Sequence, residues 1–270
     1  VLDVATGRIL LLSTWNLGID REAQIIDQTS QDTRHVFVLS SEDNGKNWSP
    51  AREITDSVKL PSWTWYATGP GSGIQLRQGD YKGRLIVACD HIEAETKKYF
   101  SHVIYSDDAG ESWALGGSTP TDQVNECEVA ELSDGRLLLN MRNYNREHKN
   151  RQLAHSADGG LSWSALFFHP TLIEPICQAS MQAFETGGKS LLLFSNPASQ
   201  EERVNMTLRL SEDDGESWPR SLVLHEGPSA YSDLVVLPNE KIGCLYERGE
   251  TSPYEGIVFQ TVSLGDLETR

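Results

Sequence analysis

Four segments of the chain repeat one pattern, Ser-x-Asp-x-Gly-x-x-Trp, and this repeat limits the fold more than any other feature. They run from Ser41 to Trp48, Ser106 to Trp113, Ser156 to Trp163 and Ser211 to Trp218. Their spacings are 65, 50 and 55 residues, the signature of a repeat architecture. Each follows an apolar or alternating run such as His35-Val-Phe-Val-Leu or Thr207-Leu-Arg-Leu, so each reads as strand, turn, strand. The glycine supplies the positive φ of a tight turn. The Ser and Asp side chains can hold turn amides. The Trp returns as an apolar plug for the core of its repeat.

A second series interleaves with the first. It comprises Gly7-Arg-Ile-Leu-Leu-Leu, Gly83-Arg-Leu-Ile-Val-Ala, Gly135-Arg-Leu-Leu-Leu-Asn, Gly188-Lys-Ser-Leu-Leu-Leu-Phe and Glu240-Lys-Ile-Gly-Cys-Leu. These runs are apolar almost throughout, as strands covered on both faces are, and they read as inner strands. Five units of about four strands each predict an all-β chain, a β-propeller of small twisted sheets around a channel. Residues 1–270 read as one domain, and no stretch has sustained helical periodicity.

The formal net charge is −16. A surface this acidic repels nucleic acid and anionic membrane, so an anionic ligand needs a local cluster of arginines. No apolar run approaches the roughly 20 residues of a membrane span, and no signal-peptide pattern opens the chain. Cys89, Cys127, Cys177 and Cys244 sit beside apolar runs at wide spacings. They read as buried thiols, with a disulfide as the alternative. The histidines lack metal-ligand spacing, and no cofactor is expected.

The repeats are Asp-boxes, and the chain resembles the sialidases, exo-glycosidases that remove terminal sialic acid. The resemblance rests on the segments between the boxes. These are Trp65-Tyr-Ala-Thr-Gly-Pro-Gly-Ser-Gly-Ile-Gln-Leu76, the stretch from Asn125 through Glu126 to Arg142, Phe194-Ser-Asn-Pro-Ala-Ser-Gln-Glu-Glu-Arg203, Ala230-Tyr-Ser-Asp-Leu and Leu245-Tyr-Glu-Arg-Gly. It implies a six-bladed propeller whose Asp-boxes are structural and lie away from the active site. It implies Tyr231 as nucleophile and Glu126 as the base that activates it. Arg142 and Arg203 would be two of three arginines that clamp the substrate carboxylate, and Glu247 would orient the third. Gln75 and Tyr66 would line the pocket. Trp63 and Trp65 would either line it or pack in the core, and Asp90-His91 would face it. Taken singly, each has a structural reading: a packed strand tyrosine, a surface glutamate, a solvated arginine.

The chemistry suits these residue types. A sialoside carries a carboxylate on its anomeric carbon, so a neutral phenol avoids the repulsion that a carboxylate nucleophile would meet. A phenol is weakly nucleophilic near neutral pH and benefits from a neighbouring carboxylate that takes its proton. Guanidinium groups match a carboxylate with two parallel hydrogen bonds.

The chain departs from the family pattern at its start. The family's first blade carries an Arg-Ile-Pro-like motif and an acid/base aspartate, and neither is present. Asp3 lies too close to the first strand, while Asp20, Asp27 and Asp32 follow it on a polar segment. The expectation is a propeller lacking its first blade, with about five present, and with little or no activity alone. The implied substrates are sialylated glycoproteins, glycolipids or oligosaccharides, and the implied setting is secreted, periplasmic or lysosomal. The alternative is a sialic-acid-binding or purely structural Asp-box propeller without hydrolase activity.

Overall fold

The computed structural model describes residues 1–269, and within them the regular secondary structure is almost entirely strand. Two short helical turns, Glu22–Ile26 and Thr55–Val58, lie in loops of the first unit. The strands form four antiparallel sheets. The first contains Leu2–Asp3, Arg8–Trp15, His35–Ser41 and Arg52–Glu53; the second, Trp63–Thr68, Leu85–Glu93, Tyr99–Ser106 and Ala114–Ser118, with Ile74–Gln75 at its side. The third contains Val124–Glu131, Leu137–Asn143, Asn150–Ser156 and Phe167–Ile173.

The fourth sheet has seven strands and merges two of the five units expected from the repeats. Its 18-residue strand Arg220–Leu237 is the reason. The first part pairs with Val204–Ser211 and closes the fourth unit; the second part pairs with Lys241–Arg248 and opens the fifth. The short strand Glu268–Thr269 returns to pair with Ser221 and Arg220.

The Gly-initiated apolar runs are not the innermost strands. Each is the second strand of its unit, with neighbours on both sides. The side-chain alternation of a strand explains their composition. Leu85, Val87 and Cys89 pack toward the first sheet, while Ile86 and Ala88 pack toward the third. Leu137 and Leu139 face the second sheet and Leu138 faces the fourth. Every sheet-to-sheet junction thus has its own core, filled from both sides.

The Asp-box tryptophans complete these junctions rather than the interior of their own sheets. Trp113 joins the core between the first and second sheets, Trp163 the core between the second and third, and Trp218 the core between the third and fourth. Trp48, with no sheet before its own, is 39% exposed. Leu11 and Trp15 on the first sheet, and Val235, Leu245, Ile257 and Phe259 on the fifth unit, are also exposed.

In all four boxes the Ser hydroxyl donates to Asp Oδ1 at 2.7–2.9 Å and accepts the Gly N–H at 2.8–2.9 Å. The same Asp oxygen accepts the amide four residues on, at 2.8–2.9 Å. Two consecutive positive φ angles shape each turn; in the second box they fall on Ala109 (57°) and Gly110 (87°).

The first strands meet at the axis, where Glu128 is 1% exposed. Its Oε1 accepts the Ser72 N–H at 3.1 Å, and its Oε2 accepts the Met181 N–H at 2.6 Å and the Ser180 hydroxyl at 3.0 Å. A Cβ at Gly71 would fall 1.7 Å from Glu128 Oε1, so only glycine fits there. Burial and then the nearby Asp233 charge push the Glu128 carboxyl up to about 8, against the pull of its three donors.

Two predictions follow from this architecture. Ala109→Gly removes a left-handed alanine and should raise stability by about 1 kcal/mol. Gly110→Ala should lower it, because its Cβ would meet Leu10 Cδ1 at 2.4 Å; urea unfolding reads both. The raised Glu128 carboxyl holds its proton in the folded state well above the ordinary glutamate value of about 4.3. Its stabilising contribution is complete below that value and is lost as pH rises through about 8. The melting temperature of wild type should therefore fall relative to Glu128→Gln between pH 4.5 and 8.

Candidate active site

Strand register puts the Asp-boxes at one end of every sheet and the arginines at the other. Ser106 pairs with Leu85, Ser156 with Leu137 and Ser211 with Leu192. At the opposite ends of these sheets lie Asp90, Arg142 and, just before Val204, Arg203.

Two bulges aim the central residues. In the third sheet Val124 pairs with Asn143 and Cys127 with Met141, so Asn125 and Glu126 together oppose Arg142. In the fifth unit Ser229 pairs with Arg248 and Ser232 with Tyr246, so Ala230 and Tyr231 together oppose Glu247. Such a two-against-one register bends the strand and redirects its side chains. Glu126 and Tyr231 thereby turn toward each other across the channel mouth.

Their contact is short. Tyr231 Oη donates to Glu126 Oε1 at 2.5 Å. Arg142 Nη1 donates to Glu126 Oε2 at 2.6 Å and to Tyr231 Oη at 3.2 Å. The Arg203 guanidinium carbon lies 5.9 Å from the Tyr231 ring centre. Burial, then the Glu126 charge and hydrogen bond, push the Tyr231 phenol far above its ordinary value, with Arg142 opposing. The phenol is therefore neutral and its proton already points at the carboxylate that can accept it. Burial alone would lower the Arg142 value, but the Glu126 charge and hydrogen bond, with the Tyr144 and Tyr231 hydroxyls beside it, together outweigh burial and the net shift is upward.

The backbone of the tyrosine is held from two sides. Glu247 Oε2 accepts the Tyr231 N–H at 3.0 Å, filling the gap that the bulge opens in the ladder. The buried Gln178 amide bonds both to the N–H and to the carbonyl of Ser232, each at 2.9 Å. No arginine forms an ion pair with Glu247 among the described residues. A recess of about 260 Å³ beside Tyr231 is bordered by Pro70, Gln178, Asp233 and Glu247.

Asp90 forms part of the site floor. It is buried, accepts Asn125 Nδ2 at 2.9 Å on Oδ1 and has no hydrogen-bond partner on Oδ2 among the described residues. Burial and then the Glu126 charge push its carboxyl up, while Arg34 and Arg142 pull it down. His91 turns into the core, stacked on Trp63 at 3.5 Å between ring centres and bonded to His102.

Two of the expected pocket residues lie elsewhere. Tyr66 is fully buried in the core between the first two sheets. Gln75 sits at the Asp-box end, where its amide donates to Asp3 Oδ1 at 2.7 Å and to the Gly83 carbonyl at 3.0 Å. It borders a cavity of about 690 Å³, whose walls include Leu2, Val4, Ile74 and Leu76. That cavity gathers no set of acid, base and nucleophile, so chemistry places the site at the other end. Trp63 is core, whereas Trp65 is half-buried under the Arg34 guanidinium at 4.1 Å. All four cysteines are free and buried.

Four site-end residues carried no signal in the sequence. Arg34 is held by the Tyr66 carbonyl, Asn16 and Thr14. Tyr144 lies 5.1 Å from the Arg142 guanidinium carbon. Tyr254 accepts from Arg203 Nη1 at 2.7 Å. Ile176, a β-branched residue at φ 53°, offers its carbonyl to Arg203 Nη2 at 3.0 Å. A β-branched residue in this region is a true outlier, and alternation or motif spacing does not announce it.

The Glu126–Arg142 pair gives a stability prediction. Both side chains are 13% exposed, so removing one leaves the other charge poorly solvated. Arg142→Met should cost about 2–4 kcal/mol in urea unfolding. Adding Glu126→Gln should restore part of that loss.

Comparison with known proteins identifies the family. Residues 1–244 match the BNR repeat-like domain. The chain is 38% identical over 229 residues to a sialidase of Micromonospora viridifaciens, covering 83% of this chain and 35% of that protein. It is 30% identical over 319 residues to Homo sapiens sialidase-3, covering 96% of this chain and 72% of the relative. The structure of the Hadza microbial sialidase Hz136 superposes with a TM-score of 0.87 at 34% identity, over 99% of this chain and 52% of that one. The chain spans half or less of the bacterial relatives it matches. Its repeats, its propeller sheets and these relatives together make it a member of the sialidase family.

Proposed function

We propose that this site cleaves terminal sialic acids from glycoproteins, glycolipids or oligosaccharides by a retaining mechanism with Tyr231 as nucleophile. The observation that carries the reading is the 2.5 Å contact between Tyr231 Oη and Glu126, flanked by Arg142 and Arg203. Arg142 and Arg203 would receive the substrate carboxylate and set the anomeric carbon before the phenol. As Tyr231 Oη bonds to that carbon, its proton passes to Glu126 Oε1 and the glycosidic bond breaks. Water then attacks the same carbon, giving its proton to the group that had protonated the leaving oxygen, and the sugar leaves Tyr231 as Glu126 returns its proton to the phenol oxygen. Arg142, bonded to both partners, stabilises the negative charge wherever it stands along this transfer.

On this reading, a general acid for the leaving oxygen is the part that the described residues do not supply. Each site carboxylate has at least one partner among the described residues: Glu126 is bonded to Tyr231 and Arg142, Asp90 to Asn125 through Oδ1, Asp233 to Ser72 and Glu247 to the Tyr231 amide. The uncovered apolar faces at Leu11 and Trp15, and at Leu245, Ile257 and Phe259, support a propeller lacking one blade, which would bear that acid. Turnover by this chain alone should be little or none. The same engagement of carboxylates favours a second reading, a propeller that binds sialic acid without cleaving it.

A 2,3-difluoro sialic acid separates the two. Its activated leaving group needs no acid, so the first reading expects a covalent adduct on Tyr231 in the peptide mass map, absent from Tyr231→Phe. Binding without an adduct supports the second reading. Robust hydrolysis of a fluorogenic sialoside by the 270-residue chain would refute the claim that a general acid is missing.

A further inference from the structure

Arg203 makes no ion pair among the described residues, in a chain whose net charge is −16. Its guanidinium is nevertheless fixed in place. Nη2 donates to the carbonyl of the strained Ile176, and Nη1 donates to Tyr254 Oη at 2.7 Å. The strained carbonyl is itself backed by a buried ion pair. Arg151 Nη1 donates to Glu174 Oε2 at 2.6 Å and to the Cys177 carbonyl at 2.7 Å, holding both sides of Ile176. Two fixed acceptors thus orient the plane of a cation that has no anion of its own.

The Tyr254 contact has a definite polarity. A guanidinium has donors only, so Tyr254 Oη must accept in this bond and keeps its own proton to give. No acceptor takes that proton among the described residues. The side chain is 63% exposed, and its hydroxyl lies against the Arg203 guanidinium, whose carbon is 5.9 Å from the Tyr231 ring centre.

The loop that carries Tyr254 is firmly built. The Glu255 carboxylate accepts the amides of Glu250, Thr251 and Ser252 at 2.9–3.0 Å, together with the Thr251 hydroxyl. Those hydrogen bonds hold the Glu255 carboxyl down at about 2. Tyr254 is therefore presented from a tied turn next to a carboxylate-bonded nest, and its hydroxyl position is set before a ligand arrives.

We propose that Tyr254 is a further binding residue of this site, donating its phenolic proton to the carboxylate of an acidic sugar held by Arg203. This rests on the sialic-acid reading of the cleft and adds a neutral donor to its arginines. The polarised hydroxyl, with a cation bonded to its oxygen, is a stronger donor than a free phenol. It also favours carboxylate over ester, because a charged acceptor strengthens the bond.

The test is binding of 2,3-didehydro-2-deoxy-N-acetylneuraminic acid and of its methyl ester, by calorimetry or ligand-observed NMR, to wild type and Tyr254→Phe. The variant should bind the acid about tenfold more weakly and the ester as wild type does, with an unchanged melting temperature. Equal affinity of both proteins for the acid overturns the role of Tyr254 and leaves the sialic-acid reading standing. Equal weakening toward acid and ester shows a brace for Arg203 rather than a donor, and also overturns it. No binding of the acid by wild type overturns both the role and the reading beneath it.

Discussion

The Glu128 carboxyl is bonded to two segments that are distant from it and from each other in sequence, and the centre of the molecule is arranged around it. It takes the amide of Ser72 from the loop before one strand, and the amide and hydroxyl of Met181 and Ser180 from another. Ser180 in turn accepts the Leu234 N–H, which brings in the strand of Tyr231. A propeller has no helix at its centre to satisfy such groups, so the first strands must satisfy one another. A buried carboxyl with donors on both oxygens is how this chain does it. The bulges that aim Glu126 and Tyr231 lie on the same two strands, close to this anchor.

Tyr231 and Glu126 occupy corresponding places in two repeats. Each sits in a two-against-one bulge at the end of a first strand, and each faces a second-strand residue sixteen positions on, Arg142 or Glu247. One repeat thus provides an acid beside a base-stabilising arginine, and another provides a phenol beside a backbone-holding glutamate. The site is two copies of one structural device carrying different side chains, turned to face each other by the rotation between blades. This explains how a scaffold with simple apolar junctions yields an asymmetric constellation.

Much of this was legible in the sequence, for reasons that can be named. The Asp-boxes forced four turns of one kind, and the runs between Gly135 and Asn140 or Gly188 and Phe194 could only be strands covered on both faces. Segments resembling the sialidases placed Glu126, Arg142, Arg203 and Tyr231 at one end, where the structure gathers them. What failed was parity. The register slips between Trp63 and Tyr66, so alternation does not reveal that Tyr66 turns into the core while Trp65 lies under Arg34. Gln75 lies on a two-residue strand at the far end, and nothing local separates it from the loop before it. The tryptophans were read as plugs of their own sheets, but a plug at a junction has the same sequence. Ile176 and Tyr254 contribute through a strained carbonyl and a loop hydroxyl, neither of which leaves a periodic trace.

The strand Glu268–Thr269 has a consequence for the order in which the molecule can be built. All four sheets are continuous in the chain, and the first three, of four or five strands each, can form in turn as they emerge during synthesis. The seven-stranded fourth sheet is completed only by its last strand. Its strand Arg220–Leu237 is paired at Arg220 and Ser221 by residues 268 and 269, and on its other part by the whole fifth unit. Tyr231 lies in the middle of that strand. The side chain proposed to do the chemistry is therefore added to a long strand that stays partly unpaired while the rest of its sheet is translated. A nascent chain should acquire its glutamate well before it acquires a correctly aimed tyrosine.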